Sequence, residues 1–337
     1  MRGLCFLALN LVVVVHGLNF LAIGDWGGAP APAYHTPGQR QAAEGMGKVA
    51  AELNAQFVLA LGDNFYFSGV ENAESARFEH TWDKVYSAQS LQVPWYVIAG
   101  NHDHKGNVSA QIEYTAVDPS SRWQFPSLYH KQSFKDEGGV TMDVILIDTV
   151  QLCDMNQAAD ESVAGYFDPL PPKAKDFSSA SSDQWLWIEN EMANSKADYL
   201  IVGGHFPVYS VCQHGPTQTL IDHLKPLLDK YNAHYLSGHD HCLNHFQEGQ
   251  TNYVLTGLGD TCCYSTDNLA NTAIPAGALK WYTGRGHKES WKIIAGFTSF
   301  AADAQAMTIT YHDGKGDVLF KADPVPKRVL QMQAAVK

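Results

Sequence analysis

Five short apolar runs in this sequence end in the same way. Leu21-Ala22-Ile23-Gly24-Asp25, Phe57-Val58-Leu59-Ala60-Leu61-Gly62-Asp63, Tyr96-Val97-Ile98-Ala99-Gly100-Asn101-His102, Leu200-Ile201-Val202-Gly203-Gly204-His205 and Tyr235-Leu236-Ser237-Gly238-His239-Asp240-His241 each pass through glycine into Asp, Asn or His. Short continuous apolar runs fit strands buried on both faces of a sheet. Ligands of open α/β sheets gather outside the carboxyl ends of such strands. The repeated ending therefore constrains the fold: the five ends should share one edge.

If they do, Asp25, Asp63, Tyr66, Asn101, His205, His239 and His241 converge, with Tyr66 three residues beyond Asp63. Two carboxylates, a phenol, an amide oxygen and three imidazoles could hold two metal ions roughly 3.5–4 Å apart, with a carboxylate as the natural bridge. Taken singly, each residue has an ordinary role. Asp25 suits a helix cap, Asn101 a turn, Tyr66 a buried ring with its hydroxyl satisfied, and His205 a core position. The conjunction of five strand ends decides for the site.

The chain order supports this layout. Leu18–Ile23 reads as a buried strand, Pro30, Pro32 and Pro37 keep the following loop non-helical, and residues 40–53 have helical spacing before the strand Phe57–Leu61. That is a βαβ unit with parallel strands. Residues 71–92 read as helical. Residues 95–99, 140–148, 199–202, 233–236, 253–256, 295–301 and 306–311 read as strands, and 185–194 and 217–231 as helices, the latter kinked or ended by Pro226. Residues 154–183 read as a long loop. The alternation, followed by hairpin-like strands, predicts a mixed-sheet α/β sandwich.

Residues 1–17 have the form of a secretory signal: Arg2, an apolar stretch too short to span a bilayer comfortably, and Val15-His16-Gly17 at the cut, with an uncleaved anchor as the alternative. Residues 18–323 then form the catalytic domain and 324–337 a tail. Cleavage leaves Cys153, Cys212, Cys242, Cys262 and Cys263, an odd set that implies one or two disulfides and a spare thiol. The adjacent Cys262 and Cys263 are not expected to join. Asn107-Val108-Ser109 is a glycosylation sequon. A net charge of −12 without concentrated Lys or Arg excludes a nucleic-acid-binding face.

The set of motifs resembles the metallophosphoesterases and, more narrowly, the purple acid phosphatases. The blocks are Gly24-Asp25-Trp26-Gly27-Gly28, Gly62-Asp63-Asn64-Phe65-Tyr66, Gly100-Asn101-His102-Asp103, Gly203-Gly204-His205-Phe206 and Gly238-His239-Asp240-His241. Gly106-Asn107-Val108-Ser109-Ala110-Gln111 and His214-Gly215-Pro216-Thr217 look like the small tartrate-resistant branch. The resemblance implies a four-layer α/β/β/α sandwich of two mixed sheets with the metal site at the strand carboxyl ends. It implies that Asp25, Tyr66 and His241 bind Fe(III), that Asp63 bridges, and that Asn101, His205 and His239 bind Fe(II), Zn or Mn. Most metallophosphoesterases carry His two residues after the first Asp; here that position is Gly27, and the Tyr66 phenol replaces it.

The implied reaction is phosphomonoester hydrolysis at acid pH, in which hydroxide from a coordinated water attacks phosphorus in line and His102, or secondarily His214, protonates the leaving group. Small phosphomonoesters or phosphoproteins are the implied substrates, the secretory pathway or a lysosome-like compartment the location, and a monomer the state. The branch's usual disulfide to the position of Cys153 cannot form, because its partner position is Ser237; Cys153 is left to pair with Cys212 or Cys242, or to remain free. Two other functions stay open on the residues: a membrane-anchored scaffold that kept the fold without turnover, and a phosphodiesterase or nucleotidase on the same metals.

Overall fold

The computed structural model describes residues 17–117, 121–153, 178–285 and 292–329. In order, the elements are β1 (Leu18–Ile23), α1 (Pro37–Leu53), β2 (Phe57–Leu61), β3 (Trp95–Ile98), α2 (Asn101–His104), α3 (Val108–Val117), β4 (Trp123–Gln124), β5 (His130–Lys135), β6 (Thr141–Leu146) and α4 (Thr149–Leu152). They continue with α5 (Ser178–Asn194), β7 (Tyr199–Gly203), α6 (Gln218–Tyr231), β8 (His234–Ser237), β9 (Leu243–Glu248), β10 (Thr251–Thr256), β11 (Leu279–Thr283), β12 (Gly296–Ala302), β13 (Ala306–Asp313), β14 (Val318–Lys321) and β15 (Val325–Pro326).

The strands form two mixed sheets. One runs β14-β13-β12-β1-β2-β3-β4, with β15 on β13; the other runs β11-β9-β10-β8-β7-β6-β5. β1 is parallel to β2 as the βαβ reading requires, β2 to β3, and β7 to both β6 and β8. Alternate residues of β1 serve two cores. Phe20 and Ala22 join Leu59, Val144, Ile201 and Leu236 between the sheets, while Leu21 and Ile23 face Ala42, Met46 and Val49 of α1. The outer face of the second sheet packs Ile145 and Val202 against Ile188 of α5 and Leu220, Leu224 and Leu228 of α6. The result is an α/β/β/α sandwich whose central strands are buried on both faces, which is why their sequences read as unbroken apolar runs.

Several elements differ from expectation. α1 begins at Pro37, because Thr36 caps it by accepting the Gln39 N–H at 3.0 Å and proline is tolerated in the first turn. Only a π-helical turn (Phe78–Asp83) and a 3₁₀ turn (Gln89–Leu91) occupy 71–92, because Phe78, Trp82 and Tyr86 all turn inward around Trp95 and Trp123. α5 starts at Ser178, so residues 178–183 are helix; the rest of the expected loop, 154–177, lies outside the described residues, as do residues 1–16 and 330–337. α6 runs through Pro226, which sits on the exposed face, where water can solvate the carbonyl it leaves free. Cys212 pairs with Cys242 and Cys153 is a free thiol. Cys262 and Cys263 are joined to each other, contrary to expectation.

Candidate metal centre

The five strand ends meet, and their donors fall into two groups. In the first, Tyr66 Oη lies 2.8 Å from His241 Nε2 and 3.3 Å from Asp25 Oδ1, and His241 Nε2 is 3.6 Å from that same oxygen. In the second, Asn101 Oδ1 is 3.0 Å from His205 Nε2 and 3.1 Å from His239 Nδ1. Asp63 stands between them, with Oδ1 3.4 Å from His205 Nε2. One ligand atom each from Asp25, Asp63 and His205 lie within 4.8 Å of one another. Asp25, Asp63, Tyr66, Asn101 and His205 are buried, while His239 and His241 are half-buried and open the site to solvent.

Tight backbone turns aim these side chains. Asp25, Asp63 and His239 have φ of 58°, 52° and 73°, the left-handed region that non-glycine residues seldom occupy. Gly24 after β1 and Gly238 after β8 belong to different sheets, and a Cβ on Gly24 would lie 2.9 Å from Gly238 Cα. Their bareness lets the sheets close until the His239 N–H donates to Asp25 Oδ2 at 2.7 Å. Gly27 has a related constraint. A Cβ there would come within 2.6 Å of Tyr66 N and 2.8 Å of Asp63 O. The loop that brings Tyr66 in thus occupies the space a Gly27 side chain would need.

The electrostatics favour a bound cation. Burial raises the Asp25 carboxyl well above its ordinary range, and burial together with Asp25 and Asp63 does the same to the Tyr66 phenol. Burial would also raise Asp63, but His205 and His102 outweigh it and hold Asp63 very low; Asp63 in turn lifts buried His205 to about 9. Burial keeps His239 well below its usual value and His241 down at about 4, so both imidazoles are neutral donors. Among the described residues, the ion pairs of the two carboxylates are all with imidazoles. Buried hard anionic donors compensated only by protons, beside neutral imidazoles, are a donor set that metal ions fit, displacing those protons.

His102 and His214 both border this cluster. The His102 N–H donates to Asp63 Oδ1 at 2.9 Å, its Nδ1 meets the Phe67 carbonyl at 2.7 Å, and its Nε2 faces Asp63 Oδ2 at 3.9 Å. Burial lowers the His102 imidazole, an effect Asp63 offsets only in part. His214 is exposed, with its ring stacked on His239 at 4.3 Å.

The residues that brace the donors escaped the sequence reading. Buried Arg77 donates to the carbonyls of Tyr66 and Gly27 and to Thr81 Oγ1, clamping the loops that carry Tyr66 and Asp25. Asp103 accepts from the N–H groups of Asn64 and Gly100. Asp148, paired with His104 at 2.9 Å, caps α4, whose Thr149 hydroxyl accepts the N–H groups of His205 and Phe206. Asp240 accepts the N–H groups of His214 and Gly215. Asp103 and Asp240 sit inside the motifs; Arg77 carries no local signal.

The profile of the calcineurin-like phosphoesterases matches residues 18–243, which include all seven donors and both flanking histidines. The chain belongs to that family. Among the calcineurin-like phosphoesterases its relatives include tartrate-resistant acid phosphatase type 5 of Oryctolagus cuniculus, 41% identical over 92% of this chain and 91% of that one. The protein of the same name from Homo sapiens is 38% identical over the same shares, which places the chain in the tartrate-resistant branch its motifs imply. Among solved structures, GAP50, described as the anchor in the inner membrane complex of Plasmodium, superposes with a TM-score of 0.72 at 20% identity, covering 93% of this chain and 90% of that one. That likeness is one of fold.

Proposed function

We propose that this phosphoesterase is an acid phosphatase that hydrolyses phosphomonoesters at a binuclear centre of Fe(III) with Fe(II), Zn or Mn. The observation that carries this reading is the Tyr66 phenol, buried between Asp25 and His241 in the first donor group. Asp25, Tyr66 and His241 would hold the ferric ion, Asn101, His205 and His239 the divalent ion, and Asp63 both. When bound, the two cations neutralise a phosphate and acidify water. Phenolate and carboxylate suit a hard trivalent ion, and an amide with imidazoles suits a divalent one.

The chain's own residues supply the rest. His102 keeps its Nδ1 on the Phe67 carbonyl, so a proton on Nε2 faces the cluster and is available to a leaving alkoxide or phenolate. Its lowered basicity makes the imidazolium a stronger acid and confines it to acid pH. His214, exposed above His239, is the second proton source. The signal-like segment 1–17 and the sequon at Asn107 support passage through the secretory pathway; among the described residues no helix is long and apolar enough to cross a membrane. We take the working state to be a monomer.

The test is a visible spectrum, metal analysis and p-nitrophenyl phosphate turnover at about pH 5. A tyrosinate-to-iron absorption band that Tyr66→Phe removes, together with turnover, supports the reading. A colourless protein without turnover after metal loading sinks it.

A further inference from the structure

The Gly-His-Asp-His turn carries two of the donors, and a ring from a different loop covers each. His214, between β7 and α6, stacks on His239. Tyr264, between β10 and β11, stacks on His241 with ring centroids 4.4 Å apart and an interplanar angle of 8°. Tyr264 also meets His214 edge to face at 5.4 Å and 77°, so the four rings His239, His214, Tyr264 and His241 make one continuous wall. Both loops are tethered to the turn they cover. Asp240 holds the backbone of His214 and Gly215, and the Tyr264 N–H donates to the His241 carbonyl at 3.0 Å. The far side of Tyr264 is pinned as well, its carbonyl accepting the Arg285 N–H at 2.8 Å.

The imidazoles differ in what fixes their planes. An imidazole ligand needs its ring orientation set, usually by a hydrogen bond on the nitrogen away from the metal, since rotation about the last side-chain bond is soft. His205 has this bond, from Nδ1 to the Leu61 carbonyl at 2.9 Å. His241 reaches Tyr66 and Asp25 through Nε2, and among the described residues its Nδ1 makes no hydrogen bond. A parallel aromatic contact is what remains to hold that ring.

We propose that Tyr264 is a positioning residue of the metal centre, fixing the plane of His241 by stacking in the role that a hydrogen bond plays for His205. The proposal rests on the reading of the cluster as a binuclear site. It places the dependence on the ring and on one group of donors: the ion at Asp25, Tyr66 and His241 needs Tyr264, and the ion at Asn101, His205 and His239 does not.

The experiment uses the full chain as wild type, Tyr264→Phe, Tyr264→Leu and Tyr264→Ala, each stripped, reloaded with iron and zinc, and assayed for bound metal and visible absorption. Melting of the stripped proteins reports folding independently. The expected result is that the Leu and Ala variants weaken binding of one ion by about 10–100-fold, the usual effect of removing an orienting partner, and lose or shift the absorption band while keeping the second ion. Tyr264→Phe retains both ions and the band. Leu and Ala variants with wild-type metal content and spectrum overturn the proposal, and so does loss of both ions together. Should Tyr264→Ala fail to fold, Tyr264→Leu decides alone. A wild type that takes up no metal overturns the binuclear reading and this proposal together, whereas a two-ion wild type with insensitive variants overturns only the role of Tyr264.

Discussion

Gly27→Ala is the smallest change that tests how the phenol came to be a donor here. The position has no left-handed φ, so its backbone accepts any residue, and the objection is space alone. The added Cβ would stand 2.6 Å from Tyr66 N and 2.9 Å from Phe65 N, where ordinary contact begins at 3.4 Å, leaving the loop about 0.8 Å too close. The atoms it meets are backbone, so no side-chain rotation relieves the clash. Stiffening the unfolded chain returns about 0.4–1 kcal/mol, whereas overpacking costs about 1–3 kcal/mol, so a net loss of stability is expected. The larger effect falls on function. A shift near 1 Å in a reacting group costs about a hundredfold, and the displaced loop carries both Asp63 and Tyr66. Gly27→His, which restores the imidazole most metallophosphoesterases have at this position, should do worse, because it adds the same Cβ and a ring beyond it. The assay is kcat/KM on p-nitrophenyl phosphate with metal content and a melting curve for each variant. A Gly27→Ala protein within about threefold of wild type, with both ions bound, would refute the argument that the backbone of the Tyr66 loop excludes a side chain at position 27.

Other consequences can be checked directly. Arg77→Met leaves the Tyr66 carbonyl without its guanidinium partner; burial already pulls that guanidinium down to about 10, so relief of its charge offsets much of the lost hydrogen bonding and the melting loss should be modest, about 1–3 kcal/mol, while metal content drops. Arg77→Lys should not rescue it, because three acceptors at fixed angles need the planar fork; recovery of full metal content by lysine would contradict this. His130, buried with Nε2 on the Val97 carbonyl at 3.1 Å, is pushed by burial to about 4. The unfolded chain takes up that proton near pH 6.5 and the folded chain only near 4, so stability falls as pH drops through this window. His130→Gln should reduce the stability lost between pH 7.5 and 5 by about 2 kcal/mol in urea titrations, and an unchanged loss would sink the assignment. Chelation should lower the unfolding free energy by about 3–4 kcal/mol relative to protein held at 100–1,000 times the dissociation constant, with no change expected if the cluster binds no ion.

The legible part of the molecule was the part buried on both sides. Strands such as Phe57–Leu61 and Tyr199–Gly203 show themselves because every residue is apolar, and their ends show themselves because glycine and a donor follow. Strands interrupted by polar residues lack that continuity and are not read from the sequence: His130–Lys135 is largely half-buried or exposed, and Leu243–Glu248 buries Asn244 and His245 within its run. Residues 71–92 read as helical, but packing of Phe78, Trp82 and Tyr86 around Trp95 and Trp123 leaves short turns there instead of one regular helix. The seven donors were legible because each sits at a strand end. Their braces were not, since Arg77 binds backbone carbonyls and Tyr264 meets His241 only through the fold, and neither contact leaves a spacing in the chain.

What the fold adds is the reason the donors divide as they do. Asp25, Tyr66 and Asn101 follow strands of the first sheet, and His205, His239 and His241 follow strands of the second. Each group therefore draws on both sheets: Asp25 and Tyr66 with His241, and Asn101 with His205 and His239. Oxygen donors come from one side of the sandwich and nitrogen donors from the other, so neither sheet alone can complete either group. Gly24 and Gly238, bare where the two sheets touch, set the distance across which both groups must close. A side chain at either glycine would separate the sheets and open both groups at once, whereas a fault in Tyr264 should open only one. That difference separates residues that bring the sheets together from residues that orient a single ligand.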